Sequence, residues 1–331
     1  MARRMSNLVA ADAKLRPNPA FSPVLRALVV VTTLGLSACD SEAKTQDDAT
    51  GGPADTPEDI GTVPVKDSRW LPAPGTTWAW QLQNYDNLDI NQDVTAFDID
   101  LFEGSEGGSD SLIRQLKDNG KKVICYFSAG TLEDWRPDAE QFAEGSVIAD
   151  GDMQQWPGET WLDISNARAL EQTIKPIMAA RLDRARDAGC DAVEPDNVDA
   201  YLNDDETRGL ISAADQLAYN TWLAGAAHDR GLSVGLKNDL DQLDALAEHF
   251  DFAVNEQCYA YGNECVLYED TFLAAGKAVF NQEYYEEGSE GELTRTEFLN
   301  NACPYFLNAG ISGLWSRGYD LDGTSALACS N

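Results

Sequence analysis

The sequence predicts an α/β fold, a single-domain (β/α)8 TIM barrel, on three observations. Short β-prone runs alternate with helical stretches, the pattern of a parallel sheet with crossover helices. Eight such runs fall within residues 71–331, and a closed eight-stranded barrel takes roughly 250 residues. No repeat and no second linker interrupts that span. A doubly wound open sheet is the competing architecture, and eight runs in this length favour closure.

The runs are 78–83, 94–100, 122–128, 191–197, 233–238, 252–258, 278–284 and 311–317. Helical candidates between them include 109–119, 167–188, 213–230 and 241–249. Gly120, Gly189 and Gly231 stand where three of these end, and a left-handed cap there suits glycine. The segment 129–165 reads mostly as loop, with 160–164 as one extra short strand.

Ahead of the barrel, Arg3, Arg4, Lys14, Arg16 and Arg26 precede an apolar run at 27–36. That run is too short to span a bilayer, which takes about 20 residues, and it fits the core of a signal peptide. It ends in Leu36-Ser37-Ala38-Cys39, similar to the bacterial lipobox, whose cysteine is lipidated and becomes the new N-terminus. Residues 1–38 are therefore expected to be a lipoprotein signal peptide. Residues 39–70, rich in Asp, Glu, Thr, Gly and Pro, are expected to be a flexible acidic linker. The protein is then an exported cell-envelope lipoprotein, held to the membrane through Cys39 alone.

Export permits disulfides. Six cysteines remain beyond Cys39, and proximity favours Cys258–Cys265 and Cys303–Cys329. Cys125 and Cys190 either pair or stay as buried thiols. No cysteine pair has the close spacing of a zinc site.

The chain carries 24 basic and 56 acidic residues, a formal charge of −32. Such a surface repels phosphate backbones, which excludes nucleic acid as a partner. It attracts a cationic ligand instead. With two histidines, both in predicted helices, a Ser-His-Asp triad or a histidine-bound zinc is disfavoured. No phosphate loop and no dinucleotide glycine fingerprint occurs, so no cofactor and no catalytic metal are expected.

Barrel active sites lie at the C-terminal ends of the strands. Reading each run to its end gives candidate binding residues Asp98, Asp100, Tyr126, Glu194, Asn197, Lys237, Gln282, Tyr284, Trp315 and Arg317, with Asp196 and Glu256 as candidate catalytic carboxylates. Side chains alternate along a strand, so Glu194 and Asp196 share a face. Two acids from different strands can flank a glycosidic bond, one as acid and one as nucleophile or base. Glu194 either orients Asp196 or binds an amine, and calcium is an alternative for Asp98 and Asp100. Trp135, Trp156, Trp161, Tyr259, Tyr261, Tyr285 and Trp315 offer flat faces on which sugar rings could stack.

Several of these motifs carry a family likeness: Cys125-Tyr126-Phe127-Ser128-Ala129-Gly130, Trp135-Arg136-Pro137, Trp161-Leu162-Asp163-Ile164, Glu194-Pro195-Asp196-Asn197-Val198-Asp199 and Asn255-Glu256-Gln257-Cys258. In this order the sequence resembles glycoside hydrolase family 114, the endo-α-1,4-polygalactosaminidases. The resemblance implies a (β/α)8 barrel and an endo-acting enzyme whose partner is a cationic amino-sugar polysaccharide. It also puts the catalytic pair on Asp196, as nucleophile, and Glu256, as acid/base, the retaining arrangement, with Lys237 keeping Asp196 ionised. An acid must hold its proton, so a pocket that disfavours the charged form is expected around Glu256. The protein is expected to act as a monomer. The alternatives are an exo-acting α-galactosaminidase and a surface lipoprotein that binds such a polymer without cutting it.

Overall fold

The computed structural model describes residues 69–287 and 292–330. The expectations for residues 1–38, Cys39 and the linker up to residue 68 lie outside them. Arg69 and Trp70, the last two residues assigned to the linker, are tied to the folded body. Arg69 pairs with Asp251 at 3.0 Å, and the Trp70 ring packs on Phe252.

The strands in chain order are β1 (Trp78–Trp80), β2 (Ala96–Asp100), β3 (Lys122–Ser128), β4 (Thr131–Glu133), β5 (Val147–Asp152), β6 (Glu159–Leu162), β7 (Ala192–Asp196), β8 (Ser233–Lys237), β9 (Phe252–Glu256), β10 (Val279–Tyr285), β11 (Ser312–Arg317) and β12 (Leu327–Ala328). The main sheet runs β1-β2-β3-β7-β8-β9-β10-β11-β12, and every pairing up to β11 is parallel. Each of the eight predicted runs overlaps one of these parallel strands: β3 matches its run, β10 extends one residue past its run to Tyr285, and the others are trimmed at one end or both. This is the (β/α)8 barrel.

Closure between first and last strands does not use a regular ladder. Gly75 N–H donates to Gly310 O at 2.8 Å, Ser312 Oγ to Thr76 O at 2.7 Å and Trp78 Nε1 to Ser312 O at 2.9 Å. Antiparallel β12 extends the edge of β11, and Leu82 N–H donates to Leu321 O. The Cys303–Cys329 disulfide pins this tail. Cys258–Cys265 forms as expected, and Cys125 pairs with Cys190 rather than remaining a thiol.

Period-two alternation builds two apolar layers. Trp78, Trp80, Ala96, Ile124, Ala192, Phe252, Val254, Phe280 and Leu314 fill the barrel interior. Phe97, Ile99, Val123, Phe127, Val193, Leu236 and Val279 face outward into the core beneath the helices. Large rings inside need a small residue opposite them. A Cβ on Gly235 would sit 2.4 Å from the Phe252 ring.

The helical stretch 167–188 is continuous, with one π turn at Leu170–Ile174, and ends on Gly189 in the left-handed region at φ 101°. Ala213–His228 starts at a capping box between Ser212 and Asp215, which satisfies the first free N–H groups. The stretch predicted at 109–119 forms over Leu112–Asp118, and the one at 241–249 shortens to Leu243–Leu246. The segment 129–165 is mostly loop, as expected, but its strands were not all foreseen. They form a three-stranded antiparallel sheet, order β4-β6-β5, of which only the β6 region was anticipated. Among the described residues no helix is long and apolar enough to cross a membrane.

Candidate active site

At the C-terminal ends of the strands the inward positions change from apolar to ionisable. Below Asp98 on β2 stands Ala96, below Glu194 stands Ala192, and below Glu256 stands Val254. A charged layer therefore rests on an apolar floor that strips it of water. At its centre is Lys237, from the end of β8 and 3% exposed. Its Nζ lies 3.0 Å from Glu194 Oε1, 3.0 Å from Asp196 Oδ1 and 3.4 Å from Glu256 Oε2. Nζ also stands 4.8 Å from the centre of the Trp80 ring, a cation–π contact in a desolvated place.

One ammonium thus joins the two predicted catalytic acids. Asp196 and Glu256 keep side-chain exposures of 18% and 30%, whereas Glu194 has none, so of these three acids the expected pair faces solvent.

The backbone leaves these strands in one manner. Asn197, Asn238 and Gln257, each next to a site residue, all have left-handed φ, at 61°, 47° and 61°. Asparagine tolerates that region better than most residues. The turn lets Asn197 N–H donate to Asp196 Oδ1 at 2.8 Å, while its Nδ2 reaches Ser128 Oγ at 2.9 Å. Asn238 Oδ1 accepts Glu256 N–H at 3.0 Å, and its Nδ2 lies 3.4 Å from Glu256 Oε2. A Cβ on Gly130 would come within 1.7 Å of the Asn197 carbonyl oxygen, so only glycine fits beside this turn.

Tyr284 on β10 donates to Glu256 Oε1 at 2.7 Å. Burial, then the Glu256 charge, pushes the Tyr284 phenol well above its ordinary value, so it stays a donor at neutral pH. A pocket that disfavours the charged form was expected around Glu256, and its neighbours there are polar. Tyr284, Asn238 and Lys237 present three donors instead.

Burial opposes the charge on Lys237, but Asp196, Glu194 and Glu256 outweigh it and hold the ammonium well above the ordinary lysine range. Burial pushes Glu194 up to about 7, with Lys237 pulling it back and Asp196 raising it. Asp98 goes well above its usual value, first by burial and then by the Glu194 charge. Asp199, just past β7, rises to about 6 through burial and the Asp196 charge.

Tyr126 is buried next to this group, and burial followed by Asp196 keeps its phenol protonated. Gln282 Nε2 is spent on Glu283 O and Ser316 Oγ, both at 2.9 Å. Asp100 is drawn away: its Oδ1 caps Phe102 and Glu103 N–H, and its Oδ2 meets Arg136 at 2.6 Å. That arginine supplies the positive charge a calcium would have brought to Asp100. Trp315 points out of the barrel into the core beneath the helices, with Nε1 on Leu293 O at 2.7 Å. Arg317 shares its outward parity and is exposed. Of the aromatic residues, Trp135, Trp156 and Tyr261 are exposed, whereas Trp161 is buried with Nε1 on Glu206.

Three participants were not among the predicted site residues: Asn238, Trp80 and Tyr319, whose ring lies 4.7 Å from that of Tyr284. Asn238 directly follows Lys237, and an asparagine at a strand end was the signal for it.

The chain is similar to known glycoside hydrolases. The crystal structure of Aspergillus fumigatus Ega3 in complex with galactosamine is similar at 38% identity and a TM-score of 0.66, over 78% of this chain and 97% of that one. The glycoside hydrolase domain of PelA from Pseudomonas aeruginosa shares the fold at 12% identity and a TM-score of 0.51, over 76% and 97%. No curated protein sequence matches. The profile of glycoside-hydrolase family GH114 matches residues 61–330, and by that span and the likeness to Ega3 the chain belongs to this family of glycoside hydrolases.

Proposed function

We propose that the protein is an endo-acting hydrolase of α-1,4-linked galactosamine-containing polysaccharide that works by a retaining two-carboxylate mechanism. The observation that carries this reading is the single buried ammonium in contact with both solvent-facing acids, Asp196 and Glu256. Asp196, held by Lys237 and the Asn197 N–H on one oxygen, is oriented to attack the anomeric carbon. Glu256 gives its proton to the departing glycosidic oxygen as that C–O bond breaks. It then takes a proton from water, which attacks the anomeric carbon and frees Asp196. Galactosamine in the Ega3 complex and the charge of −32 support an amino-sugar polymer, cationic wherever it is not acetylated. The lipobox ending at Cys39 supports export and a lipid anchor, with the barrel acting as a monomer.

Purified protein incubated with deacetylated polymer should release reducing ends as a ladder of oligomers. Asp196→Ala and Glu256→Gln should each slow that release by about 10²–10⁴-fold. Equal rates in either variant would refute the assignment, and monosaccharide as sole product would make the enzyme exo-acting.

A further inference from the structure

Beneath the two solvent-facing acids lie two more that the hydrolytic steps do not use. Asp98 and Glu194 are fully buried, so substrate cannot reach them. Both oxygens of Asp98, and Oε2 of Glu194, meet no donor from any other described residue. The remaining oxygen, Glu194 Oε1, takes the Lys237 ammonium. Ionised carboxylates only accept hydrogen bonds, and each of these two acids raises or feels the charge of the other, so three buried oxygens stay unsatisfied unless the pair holds a proton.

We propose that Asp98 and Glu194 are positioning residues that hold one shared proton beneath Lys237 and thereby keep its ammonium directed at Asp196 and Glu256. The proposal rests on the two-carboxylate reading. An ammonium has three N–H donors, and Lys237 has three carboxylates within reach, Glu194 below and the two acids above. With one proton on the pair, the floor carries a single negative charge. Loss of that proton would put a second charge there, draw Nζ downward and leave Asp196 and Glu256 to repel one another. Burial of Asp98 favours keeping the proton. The other titratable groups facing the pair are Lys237, Asp196, Tyr85 and Tyr284.

The test compares the full chain with D98N and D98A on deacetylated polygalactosamine, following reducing-end release against pH. An asparagine amide can donate to Glu194 as the shared proton does, but cannot be titrated. D98N should keep kcat within about fivefold of the parent, hold KM, and move the alkaline limb of the pH profile upward. D98A, which leaves Glu194 without a donor, should lose kcat by about 20-fold or more. Independently of activity, the infrared difference spectrum of parent minus D98N at neutral pH should contain a protonated carboxyl band. A missing band, an unmoved alkaline limb, or D98N as impaired as D98A would each overturn the proposal. If the parent releases no reducing ends, the hydrolytic reading fails, while the infrared band still decides the shared proton.

Discussion

Replacing Lys237 by methionine keeps the length of the side chain and deletes its charge. At 3.0 Å and an effective dielectric of about 20, each full charge contact is worth roughly 5 kcal/mol before solvation is counted. Burying the ammonium opposes this, and removing one partner of a buried ion pair costs about 3–5 kcal/mol net. For a body of this size each kcal/mol moves the melting point by about 2–4 °C, so Lys237→Met should melt roughly 6–20 °C lower at pH 8. The deficit should shrink toward pH 5. Glu194 has a folded-state pKa of about 7, above its ordinary 4.5, so the folded protein takes up a proton that the unfolded chain does not hold in that window. Protonation there relieves the uncompensated charge. Scanning calorimetry across that range, with urea titration at each end, measures both effects. A variant that melts with the parent at pH 8, or whose deficit is the same at both pH values, would refute the view of Lys237 as the counter-charge of the site.

Two further outcomes follow from the geometry. Tyr284→Phe removes the 2.7 Å donor to Glu256, and a hydrogen bond to a charged group is worth about 1.5–3 kcal/mol, so kcat should fall by at least tenfold with little change in KM; steady-state kinetics on the polymer checks this. Glu283, pushed up to about 7 by burial while its carboxylate accepts Tyr259 and Ala260 N–H, makes the fold less stable as pH rises from about 4.5 through 7. Glu283→Gln lacks that loss, so its unfolding free energy relative to the parent should rise by up to about 3 kcal/mol between pH 4.5 and 8 in urea titrations.

The barrel was readable because its parallel strands are buried on both sides and leave dense β-branched and aromatic runs, such as Lys122–Ser128. The sheet inside 129–165 was not. Thr131–Glu133 has three residues, and Val147–Asp152 contains Gly151 and an Asp150 at φ 60°, so neither shows a period. The acid pair and Lys237 were found because strand-end position and alternation place them. Trp315 and Arg317 follow the opposite parity to the inward acids: Leu314 faces the interior, which turns both of them outward. Asp100 was ambiguous in sequence, since an acid ending a strand can equally cap the helix that follows. What no pattern could supply was the floor of the site, where Asp98 meets Glu194 across an intervening strand.

The way the barrel shuts has a consequence for its biogenesis. Of the barrel strands β1 is made first, yet the gap beside it is closed by residues 310–329, made after all the strands in between. Until those residues emerge, the nascent sheet keeps two raw edges open to wrong pairing. Deleting or altering residues 310–329 should therefore lower the yield of folded protein far more than changes ahead of β1.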